Sequence, residues 1–268
     1  MSFPKVEWRS MDEAYVRAAD TSDWIAVLPL GATEQHGPHL PAETDTIIAE
    51  AVSDQLCASG VDELDVRILP AEAVGYSPEH LDHPETKSLS YDEAISRWVD
   101  IGEQVANAGV RRFVLLNAHG GNSPLMTIVA QELRVRLSML AVATSWTRFI
   151  KDLKEISVEE HAFGIHGGDI ETSVILALMP DAVDMSKAND FPNLQERLAL
   201  DYKHLRAYGP HAFGWKAADL NPLGVTGNAG AASPAKGNLL LKSATNGVLE
   251  LLREVADFDI DTYFRDRS

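Results

Sequence analysis

Short apolar runs alternate with segments of helical periodicity through the first 145 residues of the chain. Each run has the length and composition of a buried strand, and each intervening segment places apolar residues on one helical face. The predicted strands are residues 24–30, 65–70, 112–117 and 139–145, and the predicted helices are residues 45–59, 90–108 and 123–137. Strands that alternate with helices in this way form a mostly parallel sheet. The pattern therefore predicts an α/β fold, a three-layer sandwich around that sheet.

The pattern is less regular after residue 145. A glycine-rich loop is predicted for residues 161–169. Further helices are predicted for residues 11–19, 171–179, 194–205 and 236–257. Gly and Pro are frequent in residues 207–237, which predicts a flexible or oligomer-contacting loop there. No segment has the composition of a linker, so we expect residues 1–268 to form a single domain.

Composition and charge narrow the classes of function. Hydrophobic residues make up 45% of the chain and charged residues 24%, as is typical of globular proteins. The net charge of −17 at pH 7 argues against nucleic acid and anionic membranes as partners, since both would repel the chain. The single cysteine, Cys57, excludes an intramolecular disulfide. The sequence shows no signal-peptide or membrane-span pattern, so we expect a cytoplasmic protein that acts on a small molecule.

The loop after the first predicted strand is dense in groups that bind metals. It contains Glu34 and His36, and it ends at Asp45. Glu34 and His36 are two residues apart, so an extended backbone directs both side chains to one side. Glutamate, histidine and aspartate together form a ligand set for a divalent cation such as zinc or manganese. A solvated turn with Asp45 as a helix cap is the alternative.

Two further loops carry similar residues. His119 follows the predicted strand at residues 112–117, and His166 and Glu171 lie around the start of a later predicted helix. Because parallel strands end at one edge of a sheet, we expect the loops after the first and third strands to meet. Taken alone, His119 could be a turn residue, and Glu171 could be a first-turn acid that complements the helix dipole.

The number of candidate ligands favours two metal ions over one. Three carboxylates and two imidazoles are available: Glu34, His36, Asp45, His119 and Glu171. One tetrahedral zinc takes about four ligands, whereas five ligands with a shared carboxylate fit two ions about 3.5–4 Å apart, bridged by a hydroxide. Asp45 is the predicted bridge, because it can bind through both oxygens. His166 would then stay outside the ligand set, as a general acid or base or as a substrate contact.

Substrate contacts are predicted from the loops around these ligands. Gly120 and Gly121 could simply lead into the next helix, or they could cradle an anion with their N–H groups. Trp146 follows a strand and is interpreted either as core or as a stacking wall for a flat substrate. Ser77 lies in the irregular stretch 71–89, whose length is typical of functional loops. The remaining histidines carry no metal prediction: His80 and His83 are interpreted as shaping that loop, and His39, His161, His204 and His211 show no spacing signal.

The order and content of these motifs resemble the creatininase (creatinine amidohydrolase) family. The resemblance is carried by residues 28–41 with Asp45, and by residues 75–80, 88–90, 117–122 and 166–173. It implies a creatininase-like α/β sandwich, a two-metal centre of zinc or manganese, with iron as a further candidate, and a homohexamer. It also implies hydrolysis of amide or similar C–N bonds in small cyclic or formylated compounds.

Two departures from the family pattern bear on the substrate. Creatininases proper carry Tyr-Glu directly after the metal-binding histidine, and that Glu binds the second metal, whereas this chain has Gly120-Gly121. Glu171 is then the best-placed fifth ligand. The Gly-Gly form is similar to relatives of other specificity, namely pyrimidine-intermediate deformylases, the mycofactocin peptidase and keto-inositol hydrolases. In the long loop, Glu85 and Lys87 also depart from the usual Phe-Pro-Gly-Thr motif of the family.

The sequence hypothesis is a metal-dependent amidohydrolase of the Gly-Gly type that uses a two-metal-activated hydroxide. One metal would be held by Glu34, Asp45 and His119, and the other by His36, Asp45 and Glu171. His166 and Glu171 are the predicted catalytic residues. The predicted substrate-binding residues are Ser77, Gly120, Gly121, Trp146 and His166. Hydrolysis of a cyclic keto-sugar, cleavage of a short peptide and a non-catalytic metal-binding role remain as alternatives.

Overall fold

A computed structural model describes residues 19–58, 64–150 and 153–264. The strands are β1 (Ile25–Leu30), β2 (Val66–Ile68), β3 (Arg112–Asn117), β4 (Leu140–Ser145), β5 (Asp190–Phe191) and β6 (Gly227–Asn228). The helices are α1 (Thr44–Ala58), α2 (Tyr91–Asn107), α3 (Ser123–Leu137), α4 (Val158–Phe163), α5 (Asp169–Leu178), α6 (Leu194–Asp201), α7 (Ala217–Leu220), α8 (Pro234–Asp257) and α9 (Ile260–Tyr263). Short 3₁₀ helices include Pro78–His80, Gly120–Asn122 and Trp146–Phe149.

The first four strands form one parallel sheet in the order β2-β1-β3-β4, as the alternating pattern predicts. The register aligns Leu30 with Asn117, and Asn117 with Ser145. Strands β1, β3 and β4 therefore end level with one another, and the loops that follow them start side by side. This carboxyl edge is where open α/β sheets bind ligands.

Helices cover both faces of the sheet. Every residue of β1 is buried, and successive side chains point to opposite faces. Ile25 and Val27 join an apolar cluster with α1, α5 and α8, whereas Ala26 and Leu28 join a second cluster with α2 and α3. A strand that is apolar on both faces is what a sheet between two helical layers requires. The predicted α/β sandwich is confirmed.

The long helix α8 packs on α5 in the layer that carries part of the candidate site. Gly237 allows the close approach, because a Cβ there would lie 2.0 Å from the carbonyl oxygen of Ser173. Beside this contact, Lys236 Nζ donates to Asp169 Oδ2 at 2.5 Å, and Ser173 Oγ donates to Asp169 Oδ1 at 2.9 Å. These bonds fix the first turn of α5, which carries Glu171.

The stretch after β4 contains a helix that the sequence pattern does not predict. Residues 161–169 were expected to be a loop, but α4 extends over the first three of them and the loop begins at Gly164. Ser157 caps this helix by accepting a hydrogen bond from Glu160 N at 3.0 Å. A six-residue helix has too few turns to give a periodic apolar signal, which is why the prediction was wrong here.

Two other expectations for the second half need correction. The helix predicted for residues 194–205 ends at Asp201, because Tyr202 takes an extended conformation. The breaker-rich stretch 207–237 is not a single loop, since it contains α7 and β6, and α8 begins at Pro234 within it. Proline is favourable in the first turn of a helix, so it starts this helix rather than ending a loop.

The helix predicted for residues 11–19 lies outside the described residues, apart from Ala19. Within the described ranges, no helix combines the length and the apolar character needed to cross a bilayer.

Candidate metal centre

Side chains from the loops after β1 and β3 meet at the carboxyl edge of the sheet. Glu34 and His36 follow β1, Asp45 lies in the first turn of α1, and His119 follows β3. His119 Nδ1 lies 3.1 Å from Glu34 Oε1 and 3.2 Å from Asp45 Oδ2. His36 Nε2 lies 3.3 Å from Asp45 Oδ1. Asp45 therefore stands between two histidines, with one carboxylate oxygen facing each.

Glu171 reaches the same point from the first turn of α5. Its Oε2 lies 3.8 Å from His36 Nε2 and accepts a hydrogen bond from Gly167 N at 2.6 Å. The five side chains that the sequence singles out thus lie together as two triads that share Asp45. The first triad is Glu34, Asp45 and His119, and the second is His36, Asp45 and Glu171. Within each triad the candidate ligand atoms all lie within 4.8 Å of one another.

Main-chain carbonyls orient the two histidines of the triads. His36 Nδ1 donates to the carbonyl oxygen of Glu34 at 3.0 Å, and His119 Nε2 donates to that of Tyr76 at 2.9 Å. A carbonyl oxygen only accepts, so in each neutral ring the proton stays on that nitrogen and the other keeps its lone pair. The free nitrogens face the carboxylates. Metal-binding histidines are commonly held by this kind of outer hydrogen bond.

A third imidazole, that of His166, is oriented in the same way. Its Nε2 donates to the carbonyl oxygen of Gln35 at 2.7 Å, which leaves Nδ1 at 3.5 Å from Glu34 Oε1. The ring lies between those of His36 and His80, with centroid distances of 4.2 and 4.4 Å. His166 therefore presents one free nitrogen to the cluster without belonging to either triad that shares Asp45.

Small residues give the first loop its path. Gly31 lies against the start of α1, where a Cβ would come within 2.6 Å of Thr46 Cα. Gly37 has a φ of +76°, a conformation that L side chains rarely adopt, and it turns the chain directly after His36. Thr46 Oγ1 donates to the carbonyl oxygen of Ala32 at 2.9 Å and ties the loop to the helix. The loop thus presents Glu34 and His36 on a fixed backbone.

Two asparagines brace the second loop. Asn117 Oδ1 accepts hydrogen bonds from His119 N and from Asn122 Nδ2, both at 3.1 Å. Asn122 Oδ1 in turn accepts from Tyr76 N at 2.9 Å, and Asn122 Nδ2 also donates to the carbonyl oxygen of Gly31 at 3.1 Å. The loops after β1, after β2 and after β3 are therefore held together through these amides.

The third loop is held by a buried carboxylate, Glu160, which no motif or spacing in the sequence singles out. It accepts hydrogen bonds from Ile170 N at 3.3 Å and from Asn228 N at 2.8 Å. Burial raises the pKa of Glu160, and these two hydrogen bonds oppose that rise. Three glycines leave room for its side chain: Gly164, Gly168 and Gly227. Glu160 therefore joins α4, the start of α5 and β6 around the segment that carries His166.

Two further residues lie beside the centre, although the sequence interpretation did not place them there. The 3₁₀ turn Pro78–His80 brings His80 Nε2 to 3.6 Å from Glu34 Oε1, and Glu79 Oε1 to 3.9 Å from His119 Nε2. The interpretation of His80 as a loop-shaping residue misses this position. An adjacent Glu-His pair in a long loop was the available signal, but it has no fixed spacing from the other ligands.

His39 plays a different part from the clustered histidines. It is buried, and its Nε2 lies 3.0 Å from both the carbonyl oxygen of Gly167 and Thr172 Oγ1. Burial lowers its pKa to about 4. His39 thus links the first loop to the third loop and to α5.

Burial and the neighbouring charges together shift the pKa values of the side chains in the cluster, and for Glu34 and His36 the two effects oppose each other. Burial alone would raise the pKa of Glu34, but the surrounding imidazoles, with His119 first, hold it well below the usual range. Burial alone would lower the pKa of His36, but the adjacent carboxylates outweigh it and raise that pKa to about 10. Burial raises the pKa of Glu171 to about 7. Burial and the neighbouring imidazoles hold the pKa of His166 well below its ordinary value.

The unpaired atoms of the cluster fit divalent cations. Both carboxylate oxygens of Glu34, together with His36 Nε2 and Asp45 Oδ2, are buried without a hydrogen-bond partner among the described residues. Most buried polar atoms in proteins have such a partner. Here the unpaired atoms face one another, and they belong to oxygen and nitrogen donors that suit zinc or manganese. The donor set therefore fits the group that the sequence predicts.

The predicted substrate-binding residues differ in burial and in the free space around them. Ser77 is buried, with its Oγ 3.2 Å from His119 Nε2. A Cβ at Gly120 would meet nothing within 4 Å in the described chain, whereas one at Gly121 would be crowded. Trp146 is 1% exposed and belongs to the apolar cluster shared with α1 and α8, so a contact between it and a substrate stays a prediction.

A cavity of about 260 Å³ adjoins Glu171. Its other lining residues are Thr147, Ile150, His161, Gly164, Ile165 and Ile170. The lining is mainly apolar, with one ionisable group from the metal triad at its wall. This combination is typical of sites for small molecules.

Known proteins that resemble the chain share a family. The profile of the Creatininase family, described as creatinine amidohydrolase, matches residues 9–252. The creatinine amidohydrolase of Pseudomonas putida is 29% identical, over 93% of this chain and 95% of that protein. The mycofactocin precursor peptide peptidase of Mycolicibacterium smegmatis is 30% identical, over 85% of this chain and 84% of that protein.

Solved structures agree with this assignment. A mutant creatininase complexed with creatine matches with a TM-score of 0.76 at 27% identity, over 95% of this chain and 100% of that one. Matching solved creatininases also include a Zn-Zn type and a manganese form. The resemblance inferred from the sequence is confirmed by the profile match over most of the chain, and the chain belongs to the creatininase family.

Proposed function

We propose that the chain is a metal-dependent hydrolase that cleaves an amide-type C–N bond in a small cyclic or formylated substrate. The observation that carries the proposal is the pair of triads that share Asp45. A carboxylate shared between two ligand sets is the arrangement expected for two-metal hydrolysis. Membership of a family described as creatinine amidohydrolase supports the same reaction class.

The five ligands would hold two divalent ions, zinc and/or manganese, with iron as a further candidate. Glu34, Asp45 and His119 would hold one ion, and His36, Asp45 and Glu171 the other. When bound, the ions supply Lewis acidity at the substrate carbonyl and lower the pKa of water toward neutrality. The zinc and manganese forms among the matching creatininases support these metals.

His166 is the proposed proton carrier. Its Nε2–H is committed to the carbonyl oxygen of Gln35, so Nδ1 is the atom that can accept a proton and pass it to the leaving nitrogen. This nitrogen lies 3.5 Å from Glu34 Oε1, beside the two triads. The side chain is 14% exposed, which supports a role at a point that a substrate can reach. Glu171, which is 13% exposed, is the second proposed catalytic residue.

The cavity beside Glu171 is the proposed place for the rest of the substrate. Its volume of about 260 Å³ suits a small molecule, and Ile150 and Ile165 would exclude water from the scissile bond. Ser77, Gly120, Gly121 and Trp146 remain proposed substrate contacts. Gly120 has the open surroundings that such a contact needs.

One alternative, cleavage of a short peptide, is favoured by a specific observation. The mycofactocin precursor peptide peptidase of M. smegmatis matches across most of its length. The sequence also leaves open a keto-sugar hydrolase and a non-catalytic metal-binding protein. All three share the fold and the ligand set, so only substrate turnover separates them.

The substrate is proposed to be a small molecule, and the protein is proposed to assemble as a homohexamer. Exposed apolar side chains around the end of α6 support an assembly, since Leu200 is 88% exposed and Tyr202 and Leu205 are about half exposed. The mass in solution, measured by light scattering after gel filtration, tests the hexamer. A monomeric mass at micromolar concentration would rule it out.

The test of the proposed function is turnover by the metal-loaded protein. Zinc- or manganese-loaded enzyme would be assayed with creatinine, formamides, short peptides and a cyclic keto-sugar. We expect turnover of at least one C–N substrate, with turnover lost in His166→Ala and retained in the control His204→Ala, whose histidine is exposed and far along the chain. Hydrolysis only of the keto-sugar, or no turnover with a full metal content, would overturn the proposal.

A further inference from the structure

Glu79 is a carboxylate beside the centre that neither triad requires. Its side chain is 14% exposed, whereas those of Glu34 and His119 are 0% and 4% exposed. No other residue of the described chain donates a hydrogen bond to the Glu79 carboxylate, and His119 Nε2 lies 3.9 Å from Oε1, too far for one. A largely buried carboxylate is costly unless something pairs with it.

Glu79 lies beside the two triads without belonging to either. Its carboxylate lies within 4.8 Å of candidate ligand atoms of Glu34 and His80, a further group that could hold a metal ion. His119 turns Nδ1 toward Glu34 and Asp45, while Nε2 donates to the carbonyl oxygen of Tyr76. Glu79 lies on the Nε2 side of the ring. Its partly exposed carboxylate therefore stands beside the centre, on the side of the His119 ring that faces away from Asp45, and it belongs to neither triad that shares Asp45.

Gly121 makes the space for this arrangement. A Cβ at position 121 would lie 2.4 Å from the carbonyl oxygen of Tyr76, 2.5 Å from His119 Nε2 and 2.8 Å from Glu79 Oε1. The first two contacts involve a main-chain atom and a buried ring, which cannot yield easily. By contrast, a Cβ at Gly120 would meet nothing within 4 Å among the described residues. The second glycine of the pair, and not the first, thus allows the segment 76–79 to lie over the centre.

The segment that carries Glu79 is fixed without the help of its carboxylate. Ser77 N donates to Ser88 Oγ at 2.8 Å, and Leu89 N donates to the carbonyl oxygen of Gly75 at 2.9 Å. Tyr76 N is held by Asn122 on the neighbouring loop. The loop therefore keeps its path when the charge of Glu79 is removed, and the carboxylate is available to a ligand.

We propose that Glu79 binds an amino or other N–H donor group of the substrate, next to the scissile bond. An ionised carboxylate only accepts hydrogen bonds, and its bonds to charged donors are the stronger ones. An anionic group on the same part of the substrate would be repelled by Glu79, whose side chain is 14% exposed. The inference rests on the proposed function and deepens it, because it gives the preferred substrate a nitrogen-bearing, uncharged or cationic group beside its carbonyl.

A matched pair of metal-chelating probes tests the inference by binding rather than by turnover. Glycine hydroxamate and propanohydroxamate have the same size, but the first carries an ammonium group where the second carries a methyl group. Their affinities for the zinc-loaded protein would be measured by calorimetry at pH 7. We expect the wild-type protein to bind glycine hydroxamate about tenfold more tightly, since a hydrogen bond to a charged group contributes that order of affinity.

Three variants distinguish the effect of the Glu79 carboxylate from the effect of the space left by Gly121. In Glu79→Gln we expect the preference to fall below about threefold, with zinc content and Tm unchanged. Gly121→Ala should lose the preference as well, and hydrogen exchange should show that residues 75–80 have loosened. Gly214→Ala is the control with open surroundings, since a Cβ there would meet nothing within 4 Å among the described residues, and it should keep the full preference.

The outcomes distinguish this inference from the proposed function. Equal affinity of the two probes for the wild-type protein, or an undiminished preference in Glu79→Gln, would overturn the role of Glu79 alone. Failure of the protein to bind zinc, or of both probes to bind the zinc-loaded protein, would overturn the metal centre and the role of Glu79 with it.

Discussion

The two halves of the site are built in different ways. The inner half, Glu34, His36, Asp45 and His119, sits on loops that leave adjacent parallel strands, and these side chains are at most 4% exposed. The outer half, Glu79, His166 and Glu171, comes from irregular segments and one helix start, and these side chains are 13–14% exposed.

This difference indicates that the two halves have different roles, one in metal binding and the other mainly in catalysis and substrate choice. Strand register and helix packing hold the inner side chains in one geometry, which is what metal ligands require. The outer side chains depend on loops held by individual hydrogen bonds, such as those to Gly167 N and to the Gln35 carbonyl. We therefore expect changes in the inner half to abolish metal binding and changes at Glu171 to weaken binding of the second ion, for which it is a proposed ligand. Changes at His166 and Glu79 should alter turnover and substrate choice.

The largest effect should come from the shared ligand of the inner half. Asp45→Asn replaces one carboxylate oxygen with an NH2 group and removes the negative charge that both triads share, so we expect both ions to be lost. Water without the ions keeps a pKa of about 15.7, so kcat/KM should decrease on the order of a thousandfold or more. Metal content by mass spectrometry and turnover would be measured together. The control Glu50→Gln changes an exposed carboxylate on the same helix. If the Asp45→Asn protein still held two ions per chain, the inner half would not be what binds the metals.

A smaller but still large effect is expected from the outer half at His166. His166→Gln keeps a polar side chain but cannot carry a proton, so kcat should fall roughly 10²–10⁴-fold. The metal content should stay at the wild-type value, because this residue is in neither triad that shares Asp45. If the His166→Gln protein loses an ion, His166 is a metal ligand and belongs with the inner half.

Glu160 tests whether the outer half depends on its supporting loop. In Glu160→Gln one hydrogen-bond acceptor becomes a donor facing main-chain N–H groups, which should cost about 1–3 kcal/mol of unfolding free energy. That corresponds to a decrease in Tm of roughly 2–10 °C, and kcat should fall on the order of tenfold as the segment carrying His166 loosens. The exposed neighbour Glu159→Gln is the matched control. Equal Tm values for the two variants would argue against the supporting role.

The smallest effect should come from the surface ion pair over the long loop. Lys216 Nζ lies 3.0 and 3.2 Å from the carboxylate oxygens of Asp82, and both side chains are more than half exposed. Lys216→Ala should change the free energy of unfolding by less than about 1 kcal/mol, since exposed ion pairs contribute little. Urea denaturation would measure it. A larger loss would mean that this pair, and not the hydrogen bonds near Ser77, holds the loop over the site.

The parts of the structure that follow from regular patterns could be predicted from the sequence. The apolar run before Gly31 and the one before Asn117 indicated buried parallel strands, and strand topology then placed His119 beside Glu34. The number of ligands that two metal ions need, and not the strand topology, predicts Glu171 as the fifth ligand. Glu171 lies in the second triad.

The parts that depend on irregular backbone could not be predicted. Glu79 and His80 reach the centre through a 3₁₀ turn whose position is set by the amide of Asn122 and by the missing side chain of Gly121. Glu160 reaches its place because Gly164, Gly168 and Gly227 leave room for its side chain, and Gly227 comes from a distant part of the chain. Neither arrangement follows from periodicity, because each depends on long-range contacts that local sequence does not encode.

Anomalous diffraction from crystals of the zinc-loaded protein would show whether the two triads that share Asp45 hold two ions. We expect two peaks per chain about 3.5–4 Å apart, one among Glu34, Asp45 and His119 and the other among His36, Asp45 and Glu171. A single peak, or peaks away from Asp45, would contradict the account.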